Sequence, residues 1–430
     1  MDYFMPLKSP LFFVETYGCS ASHSDSEIMS GLLLGAGLLP TDNILNADLI
    51  IINTCFVKQT TENKILSRLR EISEKFPEKK LIICGCIPEA APERIRRAAP
   101  KASLLSTNRV SEIEKAVRKA FEGKRVEFLG RTGAEKADLP KLRKNKVTDI
   151  IQICSGCLGN CSYCGTKLAK GGLISYLPES IANEVMLAKL SGAKEFLLTG
   201  QDISCYGFDI GKSLPELLEK ILEVKGNYFV RLGMMNPVHL TKIIKPLLYV
   251  CEDERVYKFF HIPVQSGSDN TLKSMNRKYI SSEFEQQANL IREKFPFCAI
   301  GTDIIVGYPT ETEEDFMQTI GLLERVRPDW INISRYTSRP KTAAAKLKPI
   351  DSAIVKERSE RAAAVAQKIA EEQTKKWVGW SGKVLVVGKG IGKNFGHRSI
   401  NISPECPDIG KFAKVEIVKA EGVKLFGKVI

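Results

Sequence analysis

Twice along the chain, short runs rich in Ile, Leu and Val alternate with helix-length segments, and this rhythm constrains the fold more than any other feature. In residues 1–124 the runs are LFFVETY (11–17), LIIINT (49–54), KLIICG (80–85) and SLLST (103–107). Between and after them lie helical segments from about Ser24 to Gly35, from Thr60 to Phe76, APERIRRAA and VSEIEKAVRKAF. The alternation predicts a doubly wound α/β domain with a parallel sheet. Ligands of such sheets bind outside the carboxyl ends of the strands. Cys19, Cys55 and Cys86 each stand just past a predicted strand, so three separated thiols could meet at one sheet edge. The competing reading is three unrelated small core residues.

Residues 125–146 are polar and basic with Gly and Pro, as a linker is. The KLRKNK end could touch a nucleic-acid backbone, but it reads as a solvated connector. A second alternating series fills residues 147–375. Its strands are TDIIQIC (148–154), EFLLTGQ (195–201), YFVRLGM (228–234), KFFHIPVQ (258–265), AIGTDIIVG (299–307) and DWINISRY (329–336). Six strand-helix units are too few for an eight-fold barrel and predict an open, partial one, with its site at the strand carboxyl ends. A long helix, about Asp351 to Thr374, closes the series. Residues 376–430 alternate apolar and polar positions between Gly-rich joints, which predicts a small antiparallel β-barrel.

Charge and cysteine usage narrow the function. The formal charge is +13 and the pI near 9.1. Residues 376–430 hold nine Lys and one Arg against four acids, a surplus of six in the small barrel. A polyanionic partner suits that bias. The longest apolar runs, such as LIII at 49–52, are strand-length, so no membrane span is expected. No secretory leader is read at the amino terminus, and the cytosol is the default compartment. Twelve cysteines in a reducing compartment point to metal or redox chemistry rather than disulfides.

Residues 154–164, CSGCLGNCSYC, place Cys154, Cys157, Cys161 and Cys164 in eleven positions. All four could close a tetrahedral zinc knuckle. Alternatively Cys157, Cys161 and Cys164 hold three irons of a cubane cluster on a Gly-containing loop and leave the fourth iron open. Cys154 belongs to the predicted strand and the other three to the loop beyond it, which favours the open site.

These residues carry a family resemblance. Cys157-x3-Cys161-x2-Cys164 after the first barrel strand resembles the radical S-adenosylmethionine (SAM) superfamily, and the surrounding words resemble its methylthiotransferases. They are TYGCSASHSDSE (16–27), NTCFV (53–57), GC (85–86), GCLGNCSYC (156–164), LTGQDISCYG (198–207), RLGMMNP (231–237), HIPVQSGSDNTLKSMNRKY (261–279), GTDIIVGYPTETEEDF (301–316) and SRYTSRPKTAAA (334–345). The resemblance implies a flavodoxin-like N-terminal domain, a partial (βα)6 radical SAM core and a C-terminal TRAM, OB-like RNA-binding barrel. It implies two 4Fe-4S clusters, one on Cys157, Cys161 and Cys164 and an auxiliary one on Cys19, Cys55 and Cys86, with two SAM molecules per turnover. Thr199, Gly200, Gln201 and Asp202 would meet the SAM amino end, Gln265 and Ser266 its nucleoside, and Gly307, Tyr308 and Pro309 its adenine. Arg335 and Arg339 would contact phosphate or substrate, although Arg on a surface loop is often only solvated.

The implied reaction is methylthiolation of carbon 2 of a hypermodified adenosine beside the tRNA anticodon. RLGMMNP and the short basic end resemble enzymes acting on threonylcarbamoyladenosine; isopentenyladenosine, a ribosomal protein side chain, or a non-catalytic metal-bound RNA-binding module are the alternatives. The implied partners are the tRNA anticodon stem-loop and a reducing system such as flavodoxin or ferredoxin, with a monomer expected. His23, His239, His261 and His397 read as structural, Trp330, Trp377 and Trp380 as packing anchors, Met234 and Met235 as core or wall, and Cys84, Cys205, Cys251, Cys298 and Cys406 as buried small residues. The chain departs from the family at Cys154, Ser155 and GTKLAKGG (165–172), where Pro and Arg-Gly are usual.

Overall fold

The computed structural model describes residues 9–430. Part of the expectation about the amino terminus concerns residues 1–8, which lie outside the described residues. The chain forms two compact units. One runs up to Lys144 and takes in Ile150–Cys157 and Cys164–Ser180; the other comprises Asn145–Asp149, Leu158–Tyr163 and Ile181–Ile430.

In the first unit β1 (Leu11–Thr16), β2 (Leu39–Pro40), β3 (Leu49–Thr54), β4 (Lys80–Gly85), β5 (Ser103–Ser106) and β6 (Glu127–Phe128) form one sheet in the order β2-β1-β3-β4-β5-β6. Every pairing is parallel. Strand β3, LIIINT, is buried throughout, as a parallel strand with both faces covered must be. Ile50 and Ile52 pack into one apolar cluster with Ile65, Leu69 and Ile95, whereas Leu49 and Ile51 join Ile28, Leu33, Ile113 and Val117 in another. The period of two sends alternate side chains of one strand to opposite helical layers.

The stretch expected to be a solvated connector is partly built into this unit. Phe128 in β6 pairs with Leu105, and the Leu142 amide donates to the Glu27 carbonyl at 2.9 Å. Helix Ser20–Gly35 approaches so closely that a Cβ on Gly31 would lie 2.3 Å from the Pro140 carbonyl oxygen. Only Lys144 to Lys146 of KLRKNK are exposed. Edge strands of two residues leave no periodic signal, which is why β2 and β6 were not expected.

The chain continues through β7 (Thr148–Gln152), β8 (Cys154–Ser155) and β9 (Ile174–Ser175). Here an expectation is corrected: Cys154 is not the last residue of the first barrel strand. It pairs antiparallel with Ser175 in a separate two-stranded ladder, because the returning segment claims its backbone; the Tyr176 amide donates to the Ile153 carbonyl at 3.0 Å.

In the second unit β10 (Glu195–Thr199) and β11 (Phe229–Arg231) form a three-stranded sheet ordered β11-β10-β7, and β12 (Phe259–His261), β13 (Ala299–Val306) and β14 (Trp330–Arg335) form another in that order. Parallel bridges Val230–Val256 and Met234–His261 run between the two. The six expected strands are present and helices alternate with them. Helix Ser352–Lys375 follows, capped where the Asp351 carboxylate accepts from the Ala353 amide at 2.7 Å.

The last segment closes into a barrel of β15 (Ser381–Gly388), β16 (Ile391–Asn394), β17 (Ser399–Ile402), β18 (Phe412–Glu421) and β19 (Lys424–Val429), ordered β15-β16-β17-β19-β18. It is not wholly antiparallel as expected: β17 and β19 run parallel. Strand direction cannot alternate around a closed ring of five, so at least one neighbouring pair must be parallel. Val384, Val386, Ile400, Ile402, Val415, Ile417 and Leu425 fill its interior with Trp377. Its Leu385 and Phe412 pack on Val147, Phe229 and Tyr257, and the last two rings stack at 4.5 Å. Among the described residues no helix is long and apolar enough to cross a membrane.

Candidate functional site

Cys19, Cys55 and Cys86 follow β1, β3 and β4, which are neighbours in the sheet. Register keeps their carboxyl ends level, with Thr16 opposite Asn53 and Thr54 opposite Gly85. Glycines let the turns converge. Gly18 has φ +125°, and a Cβ there would sit 3.1 Å from that of Cys55; Gly85 has φ +99°, and a Cβ there would lie 2.4 Å from the Thr54 carbonyl oxygen. Cys86 opens helix Cys86–Ala90, while the Cys55 sulfur accepts from the Val57 amide at 3.5 Å. Burial pushes the Cys86 thiol up to about 12, the Lys170 ammonium pulls it down, and the thiols of Cys19 and Cys55 raise it further. Cys19 and Cys55 thus both lie close enough to Cys86, beyond the ends of neighbouring strands, to act on its thiol.

Next to them is a buried polar network that sequence reasoning missed. Asp25 accepts from Gln152 Nε2 at 2.8 Å and from Thr107 Oγ1 at 2.9 Å, and pairs with Lys136. Lys170 Nζ donates to Thr107 Oγ1 at 2.6 Å and lies 3.6 Å from Asp25 Oδ2. Burial alone would raise the Asp25 carboxyl, but the two ammoniums outweigh it and hold it below the usual carboxylate range. Two cations share one anion here, in the interior. A small signal was present: the polar run SASHSDSE at 20–27 forms a helix whose Ser22, Ser24, Asp25, Ser26 and Glu27 are all buried.

The residues of the cysteine loop are divided between the two units. In the first unit Cys157 N donates to the Gly171 carbonyl at 3.3 Å, Lys167 Nζ donates to the Cys157 carbonyl, and Cys164 directly precedes helix Gly165–Lys170. Gly156 has φ +76°, and a Cβ there would meet the Gly172 carbonyl oxygen at 1.9 Å. In the second unit Ser162 N donates to the Met275 carbonyl at 3.0 Å and Asn276 Nδ2 to the Asn160 carbonyl at 2.6 Å. Cys154 is 1% exposed, whereas Cys157, Cys161 and Cys164 are all partly open. Arg277, which sequence reasoning passed over, faces Cys161. Burial would lower its guanidinium, but Tyr163, Tyr279, Cys161 and Asp202 raise it.

The other strand-end candidates fall into distinct roles. Thr199 ends β10, and Gly200 and Gln201 are partly buried. Asp202 is buried: Oδ1 accepts from Ser204 N at 3.0 Å and Asn236 N at 3.1 Å, and Oδ2 meets His239 Nδ1 at 2.7 Å. Cys205 Sγ completes that cluster by donating to the Asp202 carbonyl at 3.2 Å. Gln265 is a non-glycine residue at φ +70°, bridged to Ile304 of β13, a strained conformation of the kind that gathers at functional sites. The Ser266 hydroxyl accepts from Ser268 N at 3.2 Å and lies 3.2 Å from Thr319 Oγ1. Gly307, at φ +76°, donates its amide to Glu311, while the ring of Tyr308 is wholly buried between Tyr163 and Tyr336. Pro309 completes this turn.

Arg335 is exposed, but Arg339 is only 2% exposed, so the solvated-loop reading fails for it. Two further expectations are corrected: Trp330 is 45% exposed rather than a packed anchor, and Cys406 is half-buried. His261, read as structural, belongs to a polar chain across three strands, with its Nε2 2.8 Å from Asp303 Oδ2 and Asn332 Nδ2 donating to Asp303 Oδ1 at 2.7 Å.

Comparison with known proteins matches residues 11–106 to the uncharacterized protein family UPF0004 and residues 151–323 to the radical SAM superfamily. A probable threonylcarbamoyladenosine tRNA methylthiotransferase of Methanothermobacter thermautotrophicus is 39% identical over 416 residues, covering 96% of this chain and 98% of the relative. The threonylcarbamoyladenosine tRNA methylthiotransferase of Homo sapiens is 36% identical over 355 residues, 81% of this chain and 61% of its own. Among solved structures, the radical S-adenosylmethionine methyltransferase TsrM from Kitasatospora setae, with cobalamin and a 4Fe-4S cluster bound, has a TM-score of 0.59 at 12% identity over 79% of this chain and 77% of that one, a likeness of fold alone. With a relative matched almost from end to end, the chain belongs to the family of radical SAM threonylcarbamoyladenosine tRNA methylthiotransferases.

Proposed function

We propose that the chain inserts a methylthio group at carbon 2 of N6-threonylcarbamoyladenosine beside the anticodon of tRNA. The observation that carries this reading is the 39% identity over 416 residues with a relative named for that substrate. Carbon 2 of an adenine ring offers no acidic proton and no leaving group, so acid-base catalysis by side chains is insufficient. A 4Fe-4S cluster with SAM would supply the one-electron cleavage of a sulfonium bond and hence a radical able to take that hydrogen.

Cys157, Cys161 and Cys164, partly open and on one loop, fit the cluster that binds SAM, while buried Cys154 stays outside it. Cys19, Cys55 and Cys86 fit an auxiliary cluster, where the sulfur would be methylated by a second SAM and passed on. The two ammoniums that share the Asp25 carboxylate beside them suit an anionic cluster, since buried charge is costly unless it is paired. Thr199, Gly200, Gln201 and Asp202 would bound the amino end of SAM. Gln265 and Ser266 would bound its nucleoside, and Gly307, Tyr308 and Pro309 its adenine through the turn they form. Arg339, buried near the end of the sixth strand, is the stronger of the two substrate contacts and Arg335 the weaker.

In this reading residues 1–124 are a flavodoxin-like methylthiotransferase domain, 125–146 a linker that is partly built into that domain through β6, 147–375 a partial (βα)6 radical SAM core and 376–430 a TRAM domain that holds the anticodon stem-loop. A flavodoxin or ferredoxin would deliver electrons to a cytoplasmic monomer. Mass spectrometry of tRNA nucleosides after deleting and restoring the gene tests the substrate. Loss of the methylthio derivative of threonylcarbamoyladenosine, with isopentenyladenosine derivatives untouched, is the expected result. Unchanged tRNA would overturn the assignment in favour of a protein target.

A further inference from the structure

Helix Gly165–Lys170 begins directly after Cys164 and ends at Lys170. It is six residues long, about 9 Å at the usual helical rise. It packs on helix Cys86–Ala90, and Ala169 shares one apolar cluster with Cys55 and Cys86. Its last residue thus reaches the sheet edge where Cys19, Cys55 and Cys86 meet. The Lys170 side chain is 3% exposed and fixed by Thr107 and Asp25. Asp25 is already paired with Lys136 and accepts from Gln152, so it cannot neutralise both cations. The two ammoniums thus crowd one carboxylate in a water-poor interior, where screening by salt is weak.

We propose that Lys170 is a positioning residue for the auxiliary cluster, its ammonium stabilising the reduced, more anionic state. The inference rests on assigning Cys19, Cys55 and Cys86 to that cluster. Reduction adds one electron and no bond or proton changes, so a fixed nearby cation favours the product of that step and raises the midpoint potential. Reduction potentials of protein-bound clusters respond to net charge and burial in this way.

The test uses the full chain with Cys157, Cys161 and Cys164 all changed to Ala, leaving a single cluster to observe, and dithionite as the reductant. Iron content and the midpoint potential, followed by electron paramagnetic resonance, are compared in that parent and in Lys170→Met, Lys170→Arg and Lys136→Met versions. The expected result is a more negative midpoint in Lys170→Met with iron retained, recovery in Lys170→Arg, and a smaller shift in Lys136→Met. An unmoved midpoint with iron retained overturns the inference. Should Lys170→Met fail to fold by circular dichroism, Lys170→Gln carries the same comparison. If the parent itself binds no iron, the assignment of the three cysteines fails, and the inference with it.

Discussion

The phenol oxygen of Tyr308 lies 2.8 Å from the hydroxyl of Ser162, tying the turn after β13 to the residue that follows Cys161. The same phenol donates to the Ser274 carbonyl at 3.0 Å, and its ring meets Tyr163 edge-on at 6.3 Å. A core aromatic thus restrains the cysteine loop. Tyr308→Phe keeps the ring and removes both hydrogen bonds, so an expected loss is about 1 to 2 kcal/mol of stability. Thermal unfolding reads that loss. Iron should also leave the reconstituted variant faster under a chelator, and an unchanged release rate would refute the restraint.

Cys154 and Cys157 make a sharper contrast. Cys154 is buried in the β8–β9 ladder, whereas Cys157 is partly open on the loop. Cys154→Ser should keep about eight irons per chain after anaerobic reconstitution, the content of two cubanes. Cys157→Ser should keep about four. A single zinc lost from both variants would instead return the four-thiolate scaffold.

How much of this was legible depended on the kind of signal. LIIINT and KLIICG were read correctly to the residue because a buried parallel strand is one continuous apolar run. The two-residue strands β2 and β6, and β16 with its IGKN sequence, carry no such run. Cys19, Cys55 and Cys86 could be grouped in advance because strand ends in a parallel sheet share an edge. Asp25 and its partners could not, since Gln152 is 127 positions away and nothing local marks a Ser-rich polar helix as buried. Composition argues the opposite way, because charged residues are usually outside.

Gly156 offers a test of backbone geometry. Its positive φ and the 1.9 Å approach of the Gly172 carbonyl oxygen to any Cβ leave no room for a side chain. Gly156→Ala should displace the strand-to-loop junction, cost upwards of about 1 kcal/mol, and lower iron occupancy of the radical site. Retention of full iron and an unchanged unfolding temperature would contradict this.

Stability should depend on pH through His397. Its Nε2 lies 3.1 Å from Lys393 Nζ and 3.5 Å from a Glu195 carboxylate oxygen. Burial pushes His397 down to about 4; the Glu195 carboxylate opposes this, and the Lys393 and Arg231 cations reinforce it. In the unfolded chain a histidine titrates near 6.5, so between about 6.5 and 4 the unfolded state holds the extra proton and stability falls as pH falls. Glu195 is shifted the other way: burial would raise it, but His397 and Lys393 hold it well below the usual range, so its contribution is lost only under stronger acid. Denaturant unfolding at pH 7 and pH 5 should differ by about 2 kcal/mol from this group. His397→Gln should remove that difference; equal slopes in the two proteins would rule the site out.

The same contact divides the lysines of the C-terminal barrel into two kinds. Lys393 Nζ is spent on the wholly buried Glu195 carboxylate at 2.9 Å, which also accepts from Tyr257 Oη at 3.0 Å. Lys389, Lys411, Lys414 and Lys424 are exposed, while Lys419 and Lys428 face Glu421 and Glu416. If RNA is held through its phosphates, binding should weaken with salt by a log-log slope of about 0.7 to 0.9 for each contact. Lys424→Ala is then expected to reduce that slope by about one contact and leave unfolding nearly unchanged. Lys393→Ala should do the reverse: leaving Glu195 buried beside a vacated cation costs several kcal/mol, up to about 5, with the slope of the surviving folded protein preserved. Measuring RNA affinity from low to high salt for both variants separates the two kinds. A slope that falls for Lys393→Ala and not for Lys424→Ala would place the RNA against the core-facing side of the barrel instead.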